Sequence, residues 1–134
     1  WLNAGHNEPM FVDGKTSPKL WQGNPAAPFG VYEDVDYDVE NASIRPDQSI
    51  TLYSDGVTEA FDREGQEFGE ERLLNLGYRA FNQPEGLLGY MREQLLSFAS
   101  GAPQSDDITL LTIQHHGTIH PVHRDDSKHP AKSS

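Results

Sequence analysis

"SITLYSDGVTEAFD", residues 49–62, is the stretch on which the fold turns. Ile50 and Leu52 alternate with polar residues in a run rich in strand formers, which predicts a β-strand over 49–54. The strand ends by placing Asp55 at its tip, followed at once by Gly56 and then by a second acid, Glu59. Asp-Gly is a common turn dipeptide, and an acid at a strand end often only caps a backbone. A metal-binding carboxylate at a sheet rim has the same local sequence. Spacing within the stretch leaves both readings open.

Downstream, two amphipathic helices precede another strand. In "GEERLLNLGYRAF" (69–81) the positions Leu73, Leu74, Gly77, Tyr78 and Phe81 form a helical stripe. Glu70 and Glu71 stand in the first turn, where the helix dipole favours them. In "PEGLLGYMREQLLSFASG" (84–101), Pro84 suits a first helical turn and Leu87, Leu88, Met91, Leu95, Phe98 and Ala99 form one stripe. Gly101 and Pro103 end that helix. "SDDITLLTIQ" (105–114) then places Asp106 and Asp107 immediately before an apolar strand over 108–113.

If the two strands are antiparallel neighbours, the end of the first lies beside the start of the second. Asp55 and Asp106 then converge on one rim. Carboxylates at close range repel and raise each other's pKa unless a cation lies between them. Oxygen ligands of this kind suit Mg²⁺ or Mn²⁺ rather than zinc.

Upstream, residues 1–22 read as short antiparallel strands, "WLNA", "MFVDG" and "KLWQG", joined by turns at "GHNEP" and "GKTSP". "GNPAAPFG" (23–30) is an irregular loop, and Trp21 beside it either packs or faces a substrate. In "VYEDVDYDVENASI" (31–44), Val31, Glu33, Val35, Tyr37 and Val39 share one parity, which predicts a strand with Val35, Tyr37 and Val39 inward and acids outward. "RPDQ" (45–48) is a turn. From His115 onward the chain has no periodicity, so 115–134 is expected to be a disordered His-rich tail. Its histidines, His115, His116, His120, His123 and His129, are more simply solvated than metal-binding.

Composition narrows the function classes. With 134 residues and 35% hydrophobic content the chain suits one globular domain. Its 21 acidic and 10 basic side chains give a net charge of −11, a field that repels nucleic acid and anionic lipid. There is no cysteine, hence no disulfide framework and no thiolate ligand or nucleophile, in keeping with a reducing, cytoplasmic setting. No apolar run approaches the roughly 20 residues of a membrane span. The chain opens at Trp1 inside a strand-like stretch without an initiator Met, which reads as an excised piece.

Three segments in this order, "NAGHNEPMFV" (3–12), "SDGVTEAFDREGQEFGEERL" (54–73) and "SDDITLLTI" (105–113), resemble the C-terminal half of bacterial PP2C-type metal-dependent Ser/Thr phosphatases, in the stage II sporulation E and sigma-factor-regulator branch. The resemblance runs from Trp1 to Ile113. It implies an α+β fold, an antiparallel β-sandwich flanked by helix pairs, of which residues 1–114 form the C-terminal portion. It also implies a dinuclear Mn²⁺ or Mg²⁺ centre that activates a water for in-line attack on phosphoserine or phosphothreonine, without a phosphoenzyme. On the matching motifs Asp55 and Asp106 are the catalytic metal ligands, Asp107 orients the site, and Glu59 helps hold a third, looser metal. His6 stands where more distant relatives carry an aspartate for that same metal.

One motif of the family is absent. The Gly-Asp-x-x-Gly-His-Gly stretch with the bridging aspartate does not occur in this sequence, so the metal centre is expected to be completed by a missing N-terminal half. The leading expectation is a phosphoprotein phosphatase in bacterial signalling or sigma-factor regulation, with an anti-sigma-factor antagonist as a plausible substrate. The alternative is a phosphatase-like regulatory or binding module that has lost catalysis. A sandwich cut near its middle leaves strand edges unpaired, so the piece is expected either to form a homodimer or swap elements through those edges or to be one part of a longer chain, and by itself to bind metal weakly and have little activity.

Overall fold

The computed structural model describes residues 1–115 except 25, 84, 85 and 105. Its elements are β1 (Met10–Asp13), β2 (Lys19–Leu20), β3 (Gln48–Tyr53), α1 (Asp55–Thr58), α2 (Gly69–Ala80), α3 (Gly86–Phe98) and β4 (Leu110–His115). The strands form one sheet in the order β2-β1-β3-β4, and every neighbouring pair is antiparallel. The register pairs Met10 with Thr51, Gln48 with His115 and Tyr53 with Leu110. The 45–48 turn is present, and Asp47 takes a left-handed backbone with φ 64°, a conformation that Asp tolerates better than most residues.

Helices α2 and α3 pack on each other and on one face of the sheet. The core between them holds Met10 and Val12 from β1, Tyr53 from β3, Leu73, Leu76 and Ala80 from α2, and Leu87, Met91 and Leu95 from α3. The sheet's helix-facing side is partly polar, since Ser49 and Thr51 are fully buried there. The alternating Ile50 and Leu52 instead point to the opposite side. There they line a shallow cavity with Trp1, Trp21, Ile44 and Ile113. On the outer strand β4, Leu111 and Ile113 are 53% and 52% exposed.

Several sequence expectations need correction. Residues 31–44 form no strand, and Val39 is 66% exposed. Alternation marks a segment able to pair, but a ladder also needs a neighbouring strand. Besides a local bond from Val31 N–H to Pro28 O, this segment pairs its backbone with the N-terminus, Glu40 N–H donating to Trp1 O at 2.7 Å and the Trp1 amine donating to Glu40 O at 2.6 Å. Residues 1–4 likewise form no strand, and the third expected strand shrinks to Lys19–Leu20. Trp21 packs, with its ring centroid 5.5 Å from Trp1 and 5.6 Å from Phe11.

The stripe of α2 is also shifted. Its buried residues are Leu73, Leu76, Gly77 and Ala80, whereas Tyr78 is 61% exposed. The contact is centred on Gly77, where the helix lies so close to Met10 that an added Cβ would meet its sulfur at 2.6 Å. In α3, Leu88 is turned outward and 42% exposed. The expected Pro84 start lies outside the described residues. So does the tail from His116 onward, although His115 itself closes β4 and does not begin the tail.

Candidate metal centre

The β3–β4 ladder ends at the pair Tyr53 and Leu110, and just beyond it both chains carry acids. Residues 55–58 wind into the single helical turn α1, with Ser54 as its N-cap. A serine at this position ordinarily accepts a hydrogen bond from an amide of the first turn. Ser54 makes no such cap bond. Its hydroxyl donates across the sheet rim to Asp107 O at 2.7 Å and accepts from Thr109 N–H at 2.9 Å. Its own N–H donates to Thr109 O at 3.1 Å.

Gly56 completes the approach. An added Cβ there would meet Asp107 O at 2.5 Å and the carbonyl carbon of Asp106 at 3.3 Å. Asp55–Gly56 and Asp106–Asp107 therefore lie backbone against backbone. Both Asp55 and Asp106 are exposed. Each carboxylate uses one oxygen on the amide that follows it, Asp55 Oδ1 accepting from Gly56 N–H at 3.0 Å and Asp106 Oδ1 from Asp107 N–H at 2.6 Å. Gln104 Nε2 donates to Asp106 O at 2.8 Å and steadies that loop.

Glu59 stands exposed at the end of α1, and its N–H donates to Asp55 O at 2.8 Å. His6 is exposed in a loop closed by Asn3, whose Oδ1 accepts from His6 N–H and whose Nδ2 donates to His6 O, both at 2.7 Å. Asn7 Nδ2 donates to Tyr53 O at 3.4 Å and ties that loop to the end of β3. Asp62 has a turn-forming role, its Oδ1 accepting from Glu64 N–H and Gln66 N–H, each at 2.9 Å.

Carboxylate oxygens held at a rim suit a hard cation such as Mg²⁺ or Mn²⁺. The donor set fits that ion in kind. It falls short in number, because the described residues hold no group of three or more His, Cys, Asp or Glu placed to bind one ion together.

A sequence profile of the family described as Stage II sporulation protein E (SpoIIE) matches residues 1–116. The chain belongs to this family. SpoIIE-family membership agrees with the solved structures that share the fold. The SiaA-PP2C domain of Pseudomonas aeruginosa superposes with a TM-score of 0.62 at 22% identity, covering 80% of this chain and 42% of that one. The PP2C phosphatase domain of SpoIIE from Bacillus subtilis, solved with a fragment of its regulatory domain, gives 0.65 at 18% identity, covering 87% and 34%. At these identities the likeness establishes the α+β fold alone. Protein IcfG of Synechocystis sp. is 26% identical over 113 residues, which are 84% of this chain and 18% of that protein. The chain thus spans less than half the length of each of these relatives.

Sequence reasoning found the acids at this rim and read Gly56 as a turn residue, but passed over Ser54 and the close backbone approach that Gly56 allows. The signal was present, since a cap residue and a residue without a side chain flank Asp55 directly.

Proposed function

We propose that this chain supplies the C-terminal part of a metal-dependent phosphoprotein phosphatase acting on phosphoserine or phosphothreonine in bacterial signalling. The observation that carries this reading is the rim of the β3–β4 pair in a SpoIIE-family chain, where Asp55–Gly56 lies against Asp106–Asp107.

In this reading Asp55 and Asp106 would hold Mn²⁺ or Mg²⁺ through their carboxylates. Asp107 would orient the site, Glu59 would serve a third and looser cation, and the part of the domain that this chain does not span would complete the donor set. When bound, the two metals supply Lewis acidity toward the phosphoryl oxygens and lower the pKa of the attacking water. The acidic residues also have an electrostatic task. A protein of net charge −11 repels a phosphorylated substrate, and its rim accepts an anion only once cations neutralise it. The substrate class is a phosphoprotein, for which an anti-sigma-factor antagonist is the leading candidate.

The test uses the full-length protein. Asp55→Asn and Asp106→Asn each abolish Mn²⁺-dependent phosphate release from a phosphoprotein while circular dichroism and the melting temperature stay close to wild type. Unchanged turnover in either variant rules out the assigned roles. A phosphatase-like binding module without catalysis is the second reading, favoured by the shortage of ligands among the described residues. Absence of Mn²⁺-dependent turnover in the wild-type full-length protein would select it.

A further inference from the structure

We infer that Ser54 is the positioning residue of this rim, and that its hydroxyl fixes the separation at which Asp55 and Asp106 can share a cation. The inference rests on the metal-dependent reading above. It starts from a forgone interaction, because Ser54 occupies an N-cap and its side chain leaves the helix uncapped. The hydroxyl instead donates to Asp107 O at 2.7 Å and accepts from Thr109 N–H at 2.9 Å. A serine hydroxyl has one donor and accepts readily, so both capacities are engaged across the strand pair.

Each end of this link is one residue from a proposed ligand. Ser54 precedes Asp55, and the carbonyl it holds belongs to the residue after Asp106. The link also lies beyond the last strand pair, Tyr53 with Leu110, where the backbone bond from Ser54 N–H to Thr109 O at 3.1 Å joins the two chains but does not reach Asp107. Two like charges at that point push their segments apart in the absence of a cation. The Ser54 hydroxyl opposes this, and the bare Cα of Gly56 allows the approach it enforces. Residues that orient metal ligands in this way change metal affinity or activity by about 10- to 100-fold when removed.

The experiment compares Mn²⁺ titrations, followed by calorimetry, of the full-length wild type, Ser54→Ala, Thr51→Val and Asp55→Asn. Thr51 is the control for fold, since it is fully buried and its Oγ1 pairs with Thr112 Oγ1 at 2.9 Å in the same two strands, away from the rim. The expected result is that Ser54→Ala weakens Mn²⁺ binding by about 10-fold or more and speeds exchange of the Thr109 amide. Thr51→Val lowers the melting temperature without changing Mn²⁺ affinity. Equal effects of Ser54→Ala and Thr51→Val on affinity, or no effect of Ser54→Ala while Asp55→Asn abolishes binding, overturn the inference and leave the metal site standing. A Ser54→Ala variant that does not fold also overturns it, because the hydroxyl then holds the fold rather than the site. Wild-type binding by Asp55→Asn overturns the metal reading itself and the inference with it.

Discussion

Gly56 and Asp107 are in such close contact that a methyl group on the Gly56 Cα would come within 2.5 Å of the Asp107 carbonyl oxygen. The neighbour is backbone, so no side-chain rotation can make room. The Asp-Gly pair at the end of β3 is thus a requirement of the strand packing as well as a turn signal.

The first prediction follows from that contact. Gly56→Ala forces the 55–58 turn away from the 106–109 segment and destabilises the fold by about 1 to 3 kcal/mol, the usual cost of overpacking. Chemical denaturation measures the loss. A stability equal to wild type would show that the rim yields easily.

A contrast is expected at Gly77. An added Cβ meets Met10 Sδ at 2.6 Å, but that atom is near the flexible end of a side chain. Gly77→Ala gains about 1 kcal/mol of helix propensity against the cost of moving Met10, so its net effect stays within about 1 kcal/mol of zero. Gly77→Leu has no such compensation and loses more than about 2 kcal/mol by wedging α2 off β1. The two midpoints of urea unfolding should therefore separate clearly.

Ser49 carries a buried hydroxyl without a hydrogen-bond partner, on a residue that is 0% exposed. Removing an orphaned polar atom relieves its desolvation penalty. Ser49→Ala is expected to be neutral or to stabilise by up to about 1 kcal/mol, read as a rise in melting temperature. A large destabilisation would mean that the hydroxyl is satisfied in solution.

The Tyr53 hydroxyl gives the protein an alkaline limit. Burial, with smaller contributions from Glu70 and Glu8, pushes its pKa from 10.0 up to about 12. The folded state favours the neutral phenol, so this contribution is fully present below pH 10 and is lost as pH rises through 12. The loss is at most about 3 kcal/mol, from about 1.4 kcal/mol per pKa unit. Tyr53→Phe should flatten the stability profile in that window, and an unchanged profile would assign the limit to other groups.

Self-association of residues 1–134 as an isolated chain is the fifth expectation. β4 is an outer strand, and its Leu111 and Ile113 side chains are about half exposed. Such edges and faces seek partners. Sedimentation should show a dimer or larger species, which Leu111→Lys with Ile113→Lys reduces to monomer. A monomeric wild-type chain would contradict this.

Much of the architecture was legible in the sequence, because period-2 and period-3.6 patterns follow from backbone geometry alone. The succession of strand, two helices and strand was readable, as was the placing of Asp55 after one strand and Asp106 before the next. Which face of an element is buried was not. In β3, Ile50 and Leu52 face away from the helices, whereas Ser49 and Thr51 face them together with Tyr53. Tyr78, read as core, is exposed because α2 meets the sheet at Gly77 instead. The 31–44 segment has the alternation of a strand and no ladder, since pairing needs a second chain at the right distance and a single segment cannot specify it. The same holds at the rim. The sequence determined which acids are present, whereas only the tertiary structure decided that the Ser54 hydroxyl leaves its helix to hold Asp107 and Thr109. Hydrogen bonds between residues more than fifty positions apart depend on the packed sheet that brings them together.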